Sequence, residues 1–461
     1  MLRFPDGFIW GSATSAYQIE GGYDSDGKGP SIWDTFTAIP GKTYSGQTGN
    51  TACNHYYLFR EDIALMKAMN LPAYRFSIAW PRILPAGCGR VNQAGIDFYN
   101  RLIDALIDND IAPWVTLYHW DLPAALQFEK DGWLNPEIAS VFADYAAVCF
   151  EHFGDRVKNW ITLNEPWVAA MLGYGQGVFA PGRTSLKEPY VAGHHLLRAH
   201  GAAVDIYRTN FQPGQKGQIG ISNNCDWREP VSLDRMDVEA AQRALLFFLG
   251  WFADPIYHGD YPEVMRQRLG NRLPEFTDTE KDMLKNSSDF FGLNHYTTML
   301  AGHADGPIPN SYVFANGGIS EDQDVTLSRD DSWDQTEMQW NIVPWGCRRL
   351  LEWIHARYNE PRIILTENGC AFADQVENEC INDKDRINFL KAYISECHAA
   401  IQNGVNLAGY FVWSFMDNFE WALGFSKRFG IHYVDFETQK RIPKASAGWF
   451  AEVIRNNGLS G

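Results

Sequence analysis

Val157-Lys158-Asn159-Trp160-Ile161-Thr162-Leu163 runs straight into Asn164-Glu165-Pro166. The first seven residues are dense in β-branched and aromatic side chains, as a strand requires, and proline after a polar pair suits the first turn of a helix. A strand that ends on a polar cluster and turns into a helix is one βα unit. The same grammar recurs at Phe8–Gly11, Ala73–Ile78, Ala112–Leu117, Gln218–Ser222, Phe290–Leu293, Arg362–Thr366 and Ala408–Trp413. Between these runs lie stretches with helical spacing of apolar residues, such as Glu61–Ala68, Ala94–Asn109 and Asp383–Ile401. Eight alternations predict an α/β fold: a single (β/α)8 TIM barrel over residues 1–461, with extended βα loops forming a pocket.

Size and charge narrow the function. A chain of 461 residues exceeds the usual domain range, but large barrels resist division. With 39 basic against 56 acidic residues the net charge is −17, which argues against nucleic-acid or anionic-membrane partners and favours a small neutral or cationic ligand. The most apolar stretch, Ala244 to Phe252, is far too short to span a bilayer. The start, Met1 to Gly7, lacks the basic and apolar pattern of a secretory signal, so the cytoplasm is the expected location; a chain whose leader had been removed would read the same way. Eight scattered cysteines without a CxxC read as free thiols. His194, His195 and His200 have no carboxylate at zinc-site spacing and read as structural, so no metal is expected. The polar stretch from Gly302 to Asp334 is expected to form pocket wall rather than a linker.

Polar and aromatic residues follow most of the strand runs: Gln18 and Glu20 after the first, His119-Trp120-Asp121 after the third and Asn164-Glu165 after the fourth. Asn223-Asn224, Asn294-His295-Tyr296, Glu367-Asn368 and Trp413 complete the set, and Arg75 lies within the second run. In such a barrel all these ends share one face, so they converge on one pocket. Taken singly, Glu165 could be a carboxylate at a helix start and Glu367 a turn acceptor. Together they are two carboxylates able to flank one sugar ring, the arrangement glycosidic cleavage needs. Gln, Asn, His and Glu supply bidentate polar contacts to hydroxyls, and tryptophan supplies an apolar platform. Trp33, Trp114, Trp353 and Trp449 read instead as core.

Five blocks then carry a family resemblance: Phe8-Ile9-Trp10-Gly11-Ser12-Ala13-Thr14-Ser15-Ala16-Tyr17-Gln18-Ile19-Glu20-Gly21, Arg75-Phe76-Ser77-Ile78-Ala79-Trp80-Pro81-Arg82, Thr162-Leu163-Asn164-Glu165-Pro166, Thr366-Glu367-Asn368-Gly369 and Trp413-Ser414-Phe415-Met416-Asp417-Asn418-Phe419-Glu420-Trp421. In this order they resemble glycoside hydrolase family 1, the β-glucosidase family, over nearly the whole chain. The resemblance implies Glu367 as nucleophile and Glu165 as acid/base. It implies Gln18, His119, Trp120, Asn164, Asn294, Glu420 and Trp421 as sugar-binding residues, Trp413 as the platform under the ring and Phe429 close to the sugar. Trp340 and Asn223 fall on the leaving-group side. Arg75 and Tyr296 would keep Glu367 ionised, and Asn164 would bond the 2-hydroxyl.

Retention requires the two carboxyls about 5–5.5 Å apart. An ionised Glu420 would repel a phosphate, so the substrate is expected to be unphosphorylated, and Glu165 stands where glucosinolate-cleaving relatives carry glutamine. The expected activity is exo-hydrolysis of terminal β-D-glucosyl residues from cellobiose, short cello-oligosaccharides and aryl or alkyl β-glucosides, with galactoside and fucoside side activity. No cofactor is expected. The alternatives are a mainly transglycosylating enzyme and a non-catalytic sugar-binding barrel. The residues do not reveal the oligomeric state.

Overall fold

Each strand read from the sequence is present, and each is followed by a helix leading back to the next. The computed structural model describes residues 2–305, 322–377 and 380–460. The strands are β1 (Ile9–Ala13), β2 (Ala73–Ser77), β3 (Ala112–Tyr118), β4 (Asn159–Asn164), β5 (Gln218–Asn224), β6 (Phe291–Asn294), β7 (Ile363–Asn368) and β8 (Leu407–Trp413). All neighbours pair in parallel and β8 closes on β1, making a barrel. Parallel pairing demands a crossover after every strand. These are α1 (His55–Ala68), α2 (Gln93–Ile107), α3 (Ile138–Phe153), α4 (Glu188–Ile206), α5 (Trp251–His258), α6 (Pro344–Arg357), α7 (Lys384–Gln402) and, after β8, α8 (Ala445–Asn456). In α2 the periodic residues Ile96, Tyr99, Leu102, Ile103 and Leu106 are all buried, together with Gly95 and Phe98.

The barrel interior changes character along its axis. Side chains two residues apart on a strand share a face: Ala73 and Arg75 on β2, Trp114 and Thr116 on β3, Ile364 and Thr366 on β7, Phe411 and Trp413 on β8. The first of each pair joins an apolar plug, in which Trp114 meets Phe290 and Phe411 edge-on, with ring centroids 5.4 and 5.3 Å apart. The second stands one layer nearer the C-terminal mouth, where Arg75, Thr116 and Thr366 form a fully buried polar layer. The plug seals one end of the barrel, and chemistry is left to the other.

Six strands run past their expected ends, β3, β4 and β6 by one residue and β1, β5 and β7 by two. β5 continues through Asn223-Asn224 and β7 through Glu367-Asn368, because the ladder persists even where the side chains turn polar. Register shifts fall between Ile161 and Asn164 on β4 and between Leu365 and Glu367 on β7. Such irregularities re-aim the side chains that follow them.

The stretch from Gly302 to Asp334 is partly sheet: Thr298–His303 pairs antiparallel with Val325–Ser328 and parallel with Trp227–Pro230. Residues 306–321 of that stretch lie outside the described residues.

Trp33 and Trp114 are fully buried, whereas Trp353 and Trp449 are half-buried against the core. The eight cysteines are free thiols. His194 bonds the Tyr261 hydroxyl, His195 the Trp133 carbonyl and His200 both Thr162 and Ser287, and burial lowers the proton affinity of all three. Among the described residues no helix is long and apolar enough to cross a membrane, and no cluster of His, Cys, Asp and Glu could hold a metal ion.

Trp114 is the centre of the plug, so Trp114→Ala should cost about 3–5 kcal/mol of unfolding free energy, read as a lower denaturant midpoint. A loss below about 1 kcal/mol would show that the plug does not hold the barrel closed.

Candidate active site

β4 ends at Asn164, and Glu165 then adopts a left-handed backbone with φ of 44°. Non-glycine residues seldom take that conformation, and holding it costs about 1–3 kcal/mol. The Glu165 amide donates to the Ser222 carbonyl at 2.8 Å, and Pro166 opens the helix Pro166–Ala170. The chain is thereby bent so that the carboxyl faces the barrel mouth. Trp120 and Trp421, which line the same cavity, also have positive φ, at 75° and 49°.

Glu367 lies near the end of β7. A Cβ on Gly369 would sit 1.7 Å from the Trp413 carbonyl oxygen, so only glycine lets the chain leave β7 alongside β8. Between them Asn368 is pinned: its amide donates to the His295 carbonyl at 2.7 Å and accepts from the Tyr410 hydroxyl at 2.6 Å.

One guanidinium joins the two carboxyl-bearing strands. Arg75 Nη1 donates to Glu367 Oε1 at 2.5 Å and to the Thr366 carbonyl at 3.0 Å, while Nη2 donates to Asn164 Oδ1 at 2.5 Å. The Tyr296 hydroxyl donates to Glu367 Oε2 at 2.6 Å. Thr366 Oγ1 donates to Asn294 Oδ1 at 2.7 Å, which turns the Asn294 NH2 toward Glu165 Oε1 at 2.7 Å and Asn164 Oδ1 at 3.0 Å. The same amide also favours the charged form of Glu367, after Arg75 and Tyr296. Since Asn164 Oδ1 already accepts twice, its NH2 donates to His119 Nε2 at 3.0 Å, and the network assigns the His119 proton to Nδ1.

These contacts decide where protons sit. Burial pushes Glu165 well above the usual carboxyl range, and the charge on Glu367 adds to the push. Burial also raises Glu367, but Arg75, Tyr296 and Asn294 all oppose it. Of the pair, Glu165 therefore keeps the proton and Glu367 the charge. Glu420 is pushed up to about 8 by burial and then by Glu367. That favours the protonated form at neutral pH, and a carboxylic acid can donate to one hydroxyl and accept from another. Burial, then Arg75, keeps His119 neutral.

Around the two glutamates lies a cavity of about 1140 Å³. His119, Trp120, Trp413, Glu420, Trp421 and Phe429 form one part of its wall. Their rings pack on one another, with Trp120 and Trp421 centroids 4.5 Å apart and His119 stacked on Trp413 at 6.0 Å. Asn294, Tyr296 and Trp340 line it as well.

Three residues expected at the sugar are placed otherwise. Gln18 does not line the cavity: its amide donates to Asn418 Oδ1 and the Phe419 carbonyl, both at 3.0 Å, and so holds the loop that carries Glu420. Asn164 is engaged first with the protein: its Oδ1 accepts from Arg75 and Asn294 and one N–H goes to His119, which leaves one N–H of its amide. Asn223 is also off the wall. Along the alternating strand β5 it is the next residue, Asn224, that lines the cavity, in register with Asn294.

The sequence reading missed most of the apolar wall: Trp167, Val168, Leu172, Phe179, Phe248, Met299 and Met338, together with the carboxyl of Asp226. Leu172 and Phe248 come from π-helical turns at Met171–Gly175 and Leu246–Gly250, which carry no readable period but recur at functional sites. Trp345 packs beneath the Arg349 guanidinium, 5.0 Å from its ring centroid, and takes no part in the cavity.

The profile of glycosyl hydrolase family 1 matches residues 1–459. The chain belongs to that family. It is 48% identical to β-glucosidase A of Thermotoga maritima, over 99% of each chain. It is 46% identical to 1,4-β-D-glucan glucohydrolase of Thermotoga neapolitana, over 100% of each chain. The solved structure of the Thermotoga maritima β-glucosidase in complex with castanospermine superposes with a TM-score of 0.93 at 47% identity, covering 100% of both chains. The protein is thus a glycoside hydrolase, and its substrates are small carbohydrates.

Tyr296→Phe removes a donor that stabilises the Glu367 carboxylate, so the midpoint at which Glu367 takes up a proton should rise. Carboxyl ¹³C NMR or infrared difference titration reads this directly, and an unchanged or lowered midpoint would contradict the assignment of charge.

Proposed function

We propose that the protein is a retaining exo-β-glucosidase that removes terminal β-D-glucosyl residues from cellobiose, short cello-oligosaccharides and alkyl or aryl β-glucosides. The observation that carries this reading is the unequal proton affinity of the buried pair, with Glu165 protonated beside an ionised Glu367. Glu165 and Glu367 line one cavity and the charge of Glu367 adds to the proton affinity of Glu165, which supports the close pairing of about 5–5.5 Å that retention needs.

In the first step a Glu367 oxygen attacks the anomeric carbon while Glu165 gives its proton to the departing oxygen, so the glycosidic bond breaks as the ester forms. The charge on Glu367 is thereby lost, Glu165 loses the neighbour that raised its proton affinity, and it can accept a proton from water. That water attacks the anomeric carbon, releases Glu367 and returns the proton to Glu165. The sugar leaves with its configuration retained. In the wall Trp120 packs on Trp421, and Trp33 backs Trp421 from behind, which supports a closed inner end and hence exo action. A protonated Glu420 can serve hydroxyls of either orientation, which supports some galactoside and fucoside turnover.

Cellobiose and 4-nitrophenyl β-glucoside should both release glucose with the β-anomer first in the NMR time course, and an initial α-anomer would overturn the mechanism. Glu367→Gly should lower turnover by at least about a thousandfold, with azide or formate restoring part of it on an activated aryl glucoside. Full activity in that variant without rescue would remove Glu367 from the nucleophile's role.

A further inference from the structure

A second, smaller cavity of about 270 Å³ is lined by five acidic and basic side chains, Glu20, Lys28, Asp34, Arg82 and Asp121. Tyr17 lines it too, and its ring stacks on Trp421 with centroids 6.1 Å apart. Asp121 directly follows Trp120 in the chain, so this cavity backs both tryptophans of the sugar wall. Ile32 N donates to the Leu122 carbonyl and Ala124 N to the Pro30 carbonyl, both at 2.8 Å. The chain that leaves β3 with Trp120 and Asp121 is thereby zipped to the segment that carries Lys28 and Asp34.

Two of the three acids have a cation of their own. Arg82 Nε donates to Glu20 Oε2 at 3.1 Å and the Tyr99 hydroxyl donates to Oε1 at 2.6 Å, while the Arg82 Nη groups reach the Gly21 and Gly22 carbonyls. Lys28 Nζ donates to Asp34 Oδ2 at 3.1 Å, to the Tyr23 carbonyl at 3.3 Å and to the Gly29 carbonyl at 3.2 Å, so its three hydrogens are engaged. Asp121 is the acid left over. It is 2% exposed, and neither its Oδ1 nor that of Asp34 has a hydrogen-bond partner among the described residues.

We propose that Asp121 is a positioning residue held as the neutral acid, and that its proton keeps the sugar wall in place. Ionisation would put a buried carboxylate without a counter-ion at the joint where Trp120 already holds a left-handed backbone. Burial, then the charge of Glu20, pushes Asp121 up to about 8; Lys28 and its own backbone N–H oppose this, and Asp34 adds to it. The other titratable groups acting on it are the phenols of Tyr17, Tyr118 and Tyr145, which burial keeps neutral. Because the fold binds this proton more tightly than an unfolded chain does, losing it destabilises the fold progressively as the pH rises from the ordinary aspartate range to about 8. The inference goes beyond the glucosidase reading, and its first measurement needs no substrate.

Infrared spectroscopy of the wild type labelled with ¹³C-carboxyl aspartate should show a protonated aspartic carboxyl at neutral pH that disappears as the pH passes about 8. Asp226, raised only to about 6, has lost its proton by neutral pH. Asp121→Asn stays neutral throughout, so its kcat/KM relative to the wild type on an aryl glucoside should rise about threefold or more from about pH 6 to about pH 9. The titrations of Glu165 and Glu420 are common to both proteins and cancel in that ratio, and a merely structural role would move it equally at every pH. Where Asp121→Asn does not fold, Asp34→Asn is read instead: it keeps an acceptor for Ser31 and frees the charge of Lys28 for Asp121, so its ratio rises in the same way. A flat ratio, or no protonated aspartate at neutral pH, overturns the inference.

Discussion

Arg75 is a cation enclosed in a barrel whose other end is an apolar plug, and the arrangement around it follows from the need to satisfy that charge. An unpaired buried ion costs several kcal/mol, so every guanidinium face must find a partner. Arg75 finds Glu367 and the Thr366 carbonyl on β7, Asn164 on β4 and Thr116 on β3. Four strand ends are tied by one residue. The ionised Glu367 that results raises the proton affinity of Glu165 and of Glu420. One cation thus shapes three protonation states, and the contrast between the two catalytic candidates originates in its placement.

The barrel was legible because its strands are buried on both faces and read as nearly continuous apolar runs, which shorter or half-exposed strands would not. Glu165 and Glu367 stood out as a pair, because both follow such runs and so fall on one face of the barrel, although each alone could serve a helix start or a turn. What failed to show was the last half-turn of geometry. Whether Asn223 or Asn224 reaches the cavity depends on alternation at the end of β5, and a one-residue change reverses the face. Gln18 and Asn164 have the chemistry of sugar ligands, but neighbouring donors and acceptors already engage them. Which of several amides is spent on the protein and which on the ligand is a property of the assembled network. The apolar wall was the least legible part, since several of its side chains come from π-turns and from the small sheet beside the barrel.

The site also rests on two foundations of different stiffness. Arg75, Glu165, Asn294 and Glu367 sit on or next to barrel strands, where ladder hydrogen bonds fix them. Glu420, Trp421 and Phe429 lie on the long connection after β8, whose own ladder is limited to the short pair His432–Val434 with Arg441–Pro443 and a few backbone bonds between residues 414–417 and 429–432. A buried ion cluster compensates. Asp417, just ahead of the Asn418-Phe419-Glu420 turn, accepts from Lys444 at 2.7 Å, from Arg428 at 2.6 Å and from the Gly430 amide at 3.0 Å. Lys444 also bonds Asp374 at 2.5 Å, on the loop that follows β7, and Arg386 joins Asp374 to Asp383.

Gly430 shows how tightly this cluster is drawn: a Cβ there would lie 2.0 Å from the Asp417 amide nitrogen. The connection leaves β8 at Trp413, is held at Asp417, projects Glu420 and Trp421 over the mouth, and is held again at Arg428 just before Phe429. Replacing such a network with apolar side chains of equal volume could well preserve stability, since buried ion pairs are weakly stabilising overall. Apolar contacts are non-directional, however, whereas each bond to Asp417 specifies an angle as well as a distance. The loop needs that directionality because Glu420 and Trp421 line the cavity opposite groups fixed on the barrel strands, and small misplacements in such a site are costly. The charges buried beneath the loop therefore set its geometry, as Arg75 sets the protonation within the barrel.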